Sequence, residues 1–180
     1  SSPRRFLGFS SCFRREAGSY GKDTKGILRV HQFNKLEMIS FCGPEQSEEE
    51  HQFLLARQEE LMQKLGIHYR VIINCTGDMG FDTAKQYDVE AWIPSQEKFR
   101  ETHSCSNTTD FQSRGLGIVY RVKGDGGKEK NEFVHTLNAT AFSERPLLAI
   151  LENYQREDGS ISIPEALRPY FGRDEITPPK

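Results

Sequence analysis

The chain has 180 residues, of which 36% are hydrophobic and 28% charged, and its formal net charge at pH 7 is -2. Its aromatic content argues against disorder, its charge argues against a membrane protein, and its near-neutral balance is not that of a DNA-binding domain. We expect one domain over residues 1–180, in a cytoplasmic protein with no membrane or DNA partner. The four cysteines contain no C-x-x-C pair, so neither a zinc site nor a disulfide framework is predicted.

The N-terminal pattern predicts a long antiparallel hairpin followed by a helix. Residues 5–16 and 27–42 are rich in residues that favour strands, and the glycine-containing segment Ala17 to Gly26 suits the loop between them. The helix is expected over residues 47–66, because the segment begins with a capping box and ends at a glycine.

The rest of the chain alternates short strands with two further helices. We expect strands at 68–75, 87–94, 98–106 and 132–140 and helices at 143–157 and 164–172, whereas 111–121 fits a helix or a strand equally well. This order favours an α+β fold with an antiparallel sheet and flanking helices over a parallel, doubly wound sheet.

Charged residues recur along the predicted hairpin. The first 35 residues contain eight lysines or arginines against two acidic residues. Because side chains alternate faces along a strand, Arg29, Phe33 and Glu37 share one side, while the even-numbered apolar residues form a core side. Arg14 and Glu16 share a side of the first strand, so pairing would create one surface suited to an anion. The alternative is a solvated face with cross-strand ion pairs, each worth about 1 kcal/mol or less.

Several motifs carry a resemblance to a known family. The segments FRREAG, RVHQFNKLEM, RETHSCSNTTDFQSR and HTLNATAFSERPLLAILENYQ closely resemble the catalytic domain of the seryl-tRNA synthetases, which are class II aminoacyl-tRNA synthetases. The resemblance runs from Phe6 to Gly172 and implies the C-terminal part of that domain. The family's N-terminal tRNA-binding arm, its first class II signature and its T-x-E element are not found in this sequence, so we expect a fragment of a longer enzyme.

The resemblance also implies an ATP site. Its residues would be Arg14, Glu16, Arg29, Phe33, Glu101, Thr102, His103, Ser104 and Arg145. Arg14 would bridge the α-phosphate and the serine carboxylate, and a planar, permanently charged guanidinium group suits this role. Phe33 would stack on adenine, and Arg145 would hold the γ-phosphate. Arg14 and Arg145 are therefore the expected catalytic residues.

Serine and magnesium sites follow from the same resemblance. Serine would be bound by Arg14, Glu37, Asn138 and Thr140, where a buried carboxylate rejects an analogue that lacks the hydroxyl. Mg²⁺ would arrive with ATP and contact Glu101 and Ser104, since this ion takes few protein oxygens and keeps phosphate oxygens and waters. The chain departs from the family's third signature, because Ala139 and Ala141 stand where glycines are usual.

The implied reaction is the ATP-dependent activation of L-serine to seryl-adenylate, followed by transfer to tRNA(Ser), in an enzyme that is a homodimer at full length. Neither step needs a protein nucleophile, so catalysis would come from orienting the reactants and stabilising phosphate charge. Three alternatives remain open: a catalytically inactive fragment, a ligase that charges a small amino acid onto a carrier protein, and a non-catalytic interaction module.

Overall fold

The computed structural model of the chain describes residues 2–16, 27–124 and 128–179, so the predicted loop from Ala17 to Gly26 lies outside the described residues. In chain order the elements are β1 (Arg4–Phe13), β2 (Gln32–Cys42), α1 (Ser47–Lys64), β3 (Tyr69–Ile73), β4 (Lys85–Ile93), β5 (Lys98–Asn107), α2 (Phe111–Leu116), β6 (Val119–Lys123), β7 (Glu129–Phe133), β8 (His135–Phe142), α3 (Glu144–Asn153), β9 (Ile161–Ser162), α4 (Arg168–Phe171) and β10 (Glu175–Ile176). None of the helices in the described ranges is both long and apolar enough to cross a membrane.

A six-stranded antiparallel sheet organises the molecule. Its strand order is β1-β2-β8-β5-β4-β3, and two small two-stranded sheets, β6 with β7 and β9 with β10, lie outside it. The predicted α+β architecture with an antiparallel sheet and flanking helices is confirmed. Within the described residues, β1 is an edge strand that pairs only with β2, and Phe9 and Phe13 are each 72% exposed.

The core lies between one face of the sheet and helices α1 and α3. Leu54 and Met62 of α1 pack with Val89, Cys105 and Leu137 from the strands, and all five are at most 2% exposed. Burying side chains of this size stabilises the fold by about 1.5–3 kcal/mol each. Cys105 is therefore a packing residue.

A buried carboxylate fixes α1 against the hairpin. Glu50 of α1 is 3% exposed, and it accepts hydrogen bonds from Arg5 Nε at 3.0 Å and from Ser40 Oγ at 2.7 Å. Arg5 and Ser40 are register partners on β1 and β2, so their side of the hairpin faces the helix. Met38, two residues before Ser40, also packs on the core. This confirms the predicted alternation along β2 and leaves its odd-numbered residues on the other face.

Several element boundaries differ from those predicted. The hairpin strands are shorter than expected: β1 ends at Phe13 and β2 begins at Gln32, so residues 27–31 form a turn and Arg29 does not lie on a strand. The segment 111–121, which fitted a helix or a strand equally well, contains a helix followed by a strand. Gly117, with φ of 69° in the left-handed region, ends α2 before β6 begins. The strand predicted at 132–140 is two strands, β7 and β8, separated at Val134.

Gly66 ends α1 in the way that the sequence predicted. Its φ is +64°, its N–H donates to Gln63 O, and Ile67 N donates to Met62 O at 3.1 Å, which together form a Schellman motif. A Cβ at this position would lie 2.6 Å from the hydroxyl of Tyr154. That hydroxyl donates to Leu65 O at 2.6 Å, so the glycine also permits a tertiary hydrogen bond.

We expect Gly66→Ala to lower the free energy of unfolding by about 1–3 kcal/mol, because it strains the backbone and displaces Tyr154. Urea denaturation would measure the change. Gly115→Ala is the matched control, since no atom lies within 4 Å of its added Cβ and alanine favours the helix. Equal stability of the two variants would contradict this account of the turn.

Candidate active site

A cationic cavity of about 330 Å³ lies where the hairpin turn, strands β4 and β5 and the start of α3 meet. Its lining residues are Arg14, Leu28, Arg29, Glu90, Phe99, Arg100, Glu101 and Arg145. Four arginines against two glutamates give the wall a positive balance, and each guanidinium offers several donors in a fixed plane. The cavity is therefore suited to an anion with several oxygen atoms.

Arg14 lies on an aromatic ring at one end of this cavity. Its backbone N–H donates to His31 O at 2.9 Å, which continues the hairpin pairing one step beyond β1. The guanidinium carbon lies 4.9 Å from the centroid of the Phe33 ring, and Phe33 is 9% exposed. The structure thus brings the predicted phosphate ligand and the predicted adenine-stacking ring into contact.

Glu16 and Arg29 form an ion pair across the base of the hairpin loop. Arg29 Nε donates to Glu16 Oε2, and this hydrogen bond holds the pKa of Glu16 below its usual range despite the opposing effect of burial. The charges of Arg14 and Arg145 also lower the pKa of Glu16. Glu16 is therefore a carboxylate surrounded by arginines.

Arg145 joins α3 to the sheet and to the hairpin turn. Its Nη1 donates to Glu101 O at 3.0 Å and to Glu101 Oε2 at 3.1 Å, and its Nε donates to Leu28 O at 3.3 Å. An arginine in the first turn of a helix opposes the helix dipole, so it is stabilised here by the carboxylate that it faces. The ion pair is only partly buried, since the Arg145 and Glu101 side chains are 20% and 47% exposed.

A β-bulge decides which residues of β5 face the cavity. Val89 pairs with His103 and Glu90 pairs with Glu101, so Thr102 is an extra residue in β5. Without the bulge, Glu101 and Ser104 would point to opposite faces, because they are three residues apart. With it, both share the face of their partners Glu90 and Asp88. The two predicted magnesium ligands thus lie on the same face.

Thr102 and His103 occupy the bulge and do not line the cavity. They are 4% and 1% exposed, Thr102 Oγ1 donates to Val89 O at 3.0 Å, and the same hydroxyl lies 2.8 Å from His103 Nδ1. Burial lowers the pKa of His103 to about 4, so its ring is neutral at physiological pH. The structure therefore does not bring these two side chains to the other predicted ATP ligands.

Glu37 and Thr140 form a second polar site on the same face of the sheet. They are register partners on β2 and β8, and Asn138 lies two residues before Thr140 on that face. Burial raises the pKa of Glu37, although Lys35 and the Thr140 hydroxyl oppose this shift. Among the described residues Glu37 Oε2 has no hydrogen-bond partner, and Lys35 Nζ lies 3.9 Å away. The Glu37 side chain is partly exposed, but this oxygen is buried and is left with an unused capacity to accept a hydrogen bond.

Four cavity residues were not identified from the sequence: Leu28, which was expected on the core side but lies in the hairpin turn, and Glu90, Phe99 and Arg100. Glu90 reaches the cavity because it pairs with Glu101, and Arg100 is held by its bond to Gln96 Oε1 at 2.5 Å. No motif marks these residues. Only the register of β4 on β5, which the sequence does not supply, would have found the last three.

The oxygen donors fit a magnesium ion that is bound mainly through a nucleotide. No group of three or more histidine, cysteine or acidic side chains in the described part of the chain could hold a metal. The Glu101 carboxylate and Ser104 hydroxyl offer two hard oxygen ligands on one face. These two ligands suit a Mg²⁺ ion whose remaining coordination positions are filled by phosphate oxygens and waters.

Comparison with known proteins relates the chain to one enzyme family. Residues 2–154 match the family described as the tRNA synthetase class II core domain (G, H, P, S and T). The chain is 54% identical over 170 residues to the serine-tRNA ligase of Desulfotalea psychrophila, covering 94% of this chain and 39% of that protein. It is 55% identical over 174 residues to that of Syntrophobacter fumaroxidans, covering 96% and 40%. The chain thus spans about two fifths of the length of these relatives.

Solved structures give the same relationship. The fold matches the seryl-tRNA synthetase from Pyrococcus horikoshii complexed with ATP, with a TM-score of 0.93 and 52% identity over 99% of this chain and 39% of that chain. It also matches the cytoplasmic serine-tRNA ligase from Naegleria fowleri in complex with AMP, with a TM-score of 0.88 and 41% identity over 98% and 41%. Both comparisons place the antiparallel fold described above within structures of this family.

The buried imidazole of His103 makes stability depend on pH. Its pKa falls from 6.5 to about 4 on folding, so the unfolded chain accepts a proton that the folded protein resists. The stability contributed by the neutral ring is present above pH 6.5 and is lost as the pH falls towards 4. We expect this loss to be about 3 kcal/mol, and we expect His103→Gln to flatten the stability profile over that window.

Urea denaturation at several pH values would measure the difference between the parent and His103→Gln. The matched control is His68→Gln, which removes an exposed histidine. Parallel profiles for the parent and His103→Gln would show that His103 does not titrate in this way.

Proposed function

The chain belongs to the class II tRNA synthetase core family and matches its serine-tRNA ligases, and from this premise we propose that its site binds ATP and L-serine and forms seryl-adenylate. The seryl group is then transferred to tRNA(Ser). The working enzyme is a homodimer in the cytoplasm, as the family resemblance implies. The neighbour from Pyrococcus horikoshii was solved with ATP, which supports nucleotide binding by this chain.

One observation supports this function above the others: Arg14, Arg29 and Arg145 surround a cavity beside the ring of Phe33. A nucleoside triphosphate combines a flat aromatic base with a chain of anionic oxygens, and this arrangement offers a surface for each. Arg14 takes the α-phosphate and Arg145 the γ-phosphate, while Phe33 stacks on adenine. Glu16, which is paired with Arg29, contacts the base.

Binding of the triphosphate competes with contacts that already exist in the cavity. Arg145 is paired with Glu101, and Arg29 with Glu16. Both pairs are partly exposed, and the pair of Arg145 with Glu101 is worth about 1 kcal/mol or less. Bonds from arginine to phosphate are stronger and often bidentate, so a nucleotide displaces these pairs at small cost.

The Glu37 and Thr140 site selects the amino acid. Glu37 Oε2 accepts the hydroxyl proton of serine, Thr140 contacts the same hydroxyl, and Asn138 borders the pocket. Alanine would leave the buried carboxylate without a donor, which costs about 1–3 kcal/mol or more for a charged group. This preference rests on a hydrogen bond, so it does not depend on a tight fit around the small side chain.

Magnesium would be held by Glu101 and Ser104 together with the phosphates. The ion neutralises phosphate charge when it is bound. The chain's own residues do the rest: Arg14 orients the serine carboxylate for in-line attack on the α-phosphorus, and Arg145 stabilises the departing pyrophosphate. A well-placed donor of this kind contributes on the order of 3 kcal/mol. No protein nucleophile is required, which agrees with the deep burial of Cys105.

Serine-dependent exchange of pyrophosphate into ATP tests this function directly. We expect exchange with L-serine and at least tenfold less with alanine or glycine, because only serine satisfies Glu37. Radiolabelled serine should then appear on tRNA(Ser). Label on a carrier protein would favour the alternative ligase, and absence of exchange despite ATP binding would favour a chain that binds nucleotide without catalysis.

We expect Arg14→Ala to weaken ATP binding by about a hundredfold, since it removes a charged fork from the α-phosphate position. Isothermal titration with Mg-ATP would measure it. Arg15→Ala is the matched control, because it removes the adjacent exposed arginine, which lies outside the cavity. Unchanged binding by Arg14→Ala would remove Arg14 from the site.

A further inference from the structure

Strands β5 and β8 form a fork whose open end carries two of the proposed ligands. Their ladder contains three residue pairs and stops at Cys105 and Ala139. Both strands continue past that point, β5 back to Lys98 and β8 on to Phe142. The first residues beyond the last pair are Ser104, a proposed magnesium ligand, and Thr140, a proposed serine ligand.

A single side chain of α1 spans this fork. Gln58 is completely buried, and its Nε2 donates to Ser104 O at 2.9 Å and to Thr140 O at 2.8 Å. The two hydrogens of one amide nitrogen thus satisfy two backbone carbonyls that the missing ladder would leave without donors. Helix α1 thus links β5 and β8, through Gln58, at the position where the next residue pair of the ladder would be.

The strand backbones at Ser104 and Thr140 are not equally supported by their other neighbours. Ser104 remains in a regular ladder with β4, where it pairs with Asp88. Thr140 follows the last pair with β5, and on its other side the ladder with β2 is irregular, because Glu37 pairs with Thr140 while Leu36 pairs with Phe142. Thr140 therefore has the weaker backbone support, and the bond from Gln58 replaces what the sheet lacks there.

We propose that Gln58 is a positioning residue for amino-acid recognition: its amide holds the backbone of Thr140, and through it the Glu37 and Thr140 pair, in the geometry that accepts the serine hydroxyl. This inference rests on the proposed function, since it assigns Gln58 a role in reading serine. Gln58 lies on the core side of α1 and lines none of the cavity, so its effect on ATP is indirect and small.

Gln58→Met tests the proposal, because methionine has a similar length but no hydrogen-bond donor. We expect the KM for serine to rise at least tenfold, whereas kcat and the KM for Mg-ATP stay within about threefold of the parent. Serine-dependent pyrophosphate exchange would measure all three. Gln63→Met is the matched control on the same helix, since Gln63 is exposed and donates only to the Tyr69 hydroxyl among the described residues.

Two further variants separate positioning from loss of stability. Leu54→Val should lower the melting temperature without changing the ratio of the two KM values, because it opens a small cavity in the core facing α1. The carboxyl group in Gln58→Glu can donate one hydrogen bond while it is protonated. When it ionises at higher pH, its charge repels the two carbonyl oxygens. The KM for serine of this variant, relative to that of the parent, should therefore rise with pH. This variant also serves if Gln58→Met does not fold.

The outcomes distinguish the two proposals. If the parent shows no serine-dependent exchange, the proposed function is overturned and the role of Gln58 falls with it. If the parent shows exchange, two results would overturn the role of Gln58 alone: folded Gln58 variants that keep the parent's serine KM, or variants that raise the KM for serine and for ATP by the same factor.

Discussion

One-sided burial of the six-stranded sheet is the constraint on which the site depends. Helices α1 and α3 cover one face with apolar side chains, and the contact of Glu50 with Arg5 and Ser40 fixes which side of the hairpin that is. Because strand side chains alternate, the odd-numbered residues of β2 must then lie on the opposite face. Phe33 and Glu37 reach that face for this reason, and the chemistry of the site follows from the packing of the core.

The arginine side chains of the cationic cavity repel one another, and nearby carboxylates balance this repulsion only in part. Arg14, Arg29 and Arg145 all act on Glu16, and Glu101 neutralises Arg145 from the other side. Glu101 lines the cavity and Glu16 is paired with the lining residue Arg29, so both carboxylates occupy arginine groups that an anionic ligand could contact. In the function proposed above, phosphate oxygens would replace these carboxylates.

Much of the site could be predicted because its residues lie in short motifs on regular strands. Arg14 and Phe33 are in contact, and Glu37 and Thr140 are register partners, as alternation and the family resemblance together suggested. The misjudged features are those that depend on tertiary pairing. Arg29 lies in a turn, and the bulge at Thr102 changes which residues of β5 face the cavity. No pattern of hydrophobicity in the sequence indicates either feature.

Gln58 illustrates the same limit from within a correctly predicted helix. A polar residue on the buried side of α1 reads as a mismatch in the amphipathic pattern, and only the end of the β5 and β8 ladder explains it. Residues that support a site through the backbone of other elements leave no local signature. Motif matching therefore finds the groups that contact a ligand more readily than the groups that hold them.

The exposed edge formed by β1 has a consequence for how the protein behaves in concentrated solution. Its outer backbone groups and the phenyl rings of Phe9 and Phe13 offer a ready template for strand addition by another molecule. Arginines flank the apolar run at both ends, with Arg4 before it and Arg14 after it, and such charges oppose stacking of like chains. Pairing through this edge is therefore opposed by the flanking arginines, so added salt should promote self-association by screening their charges.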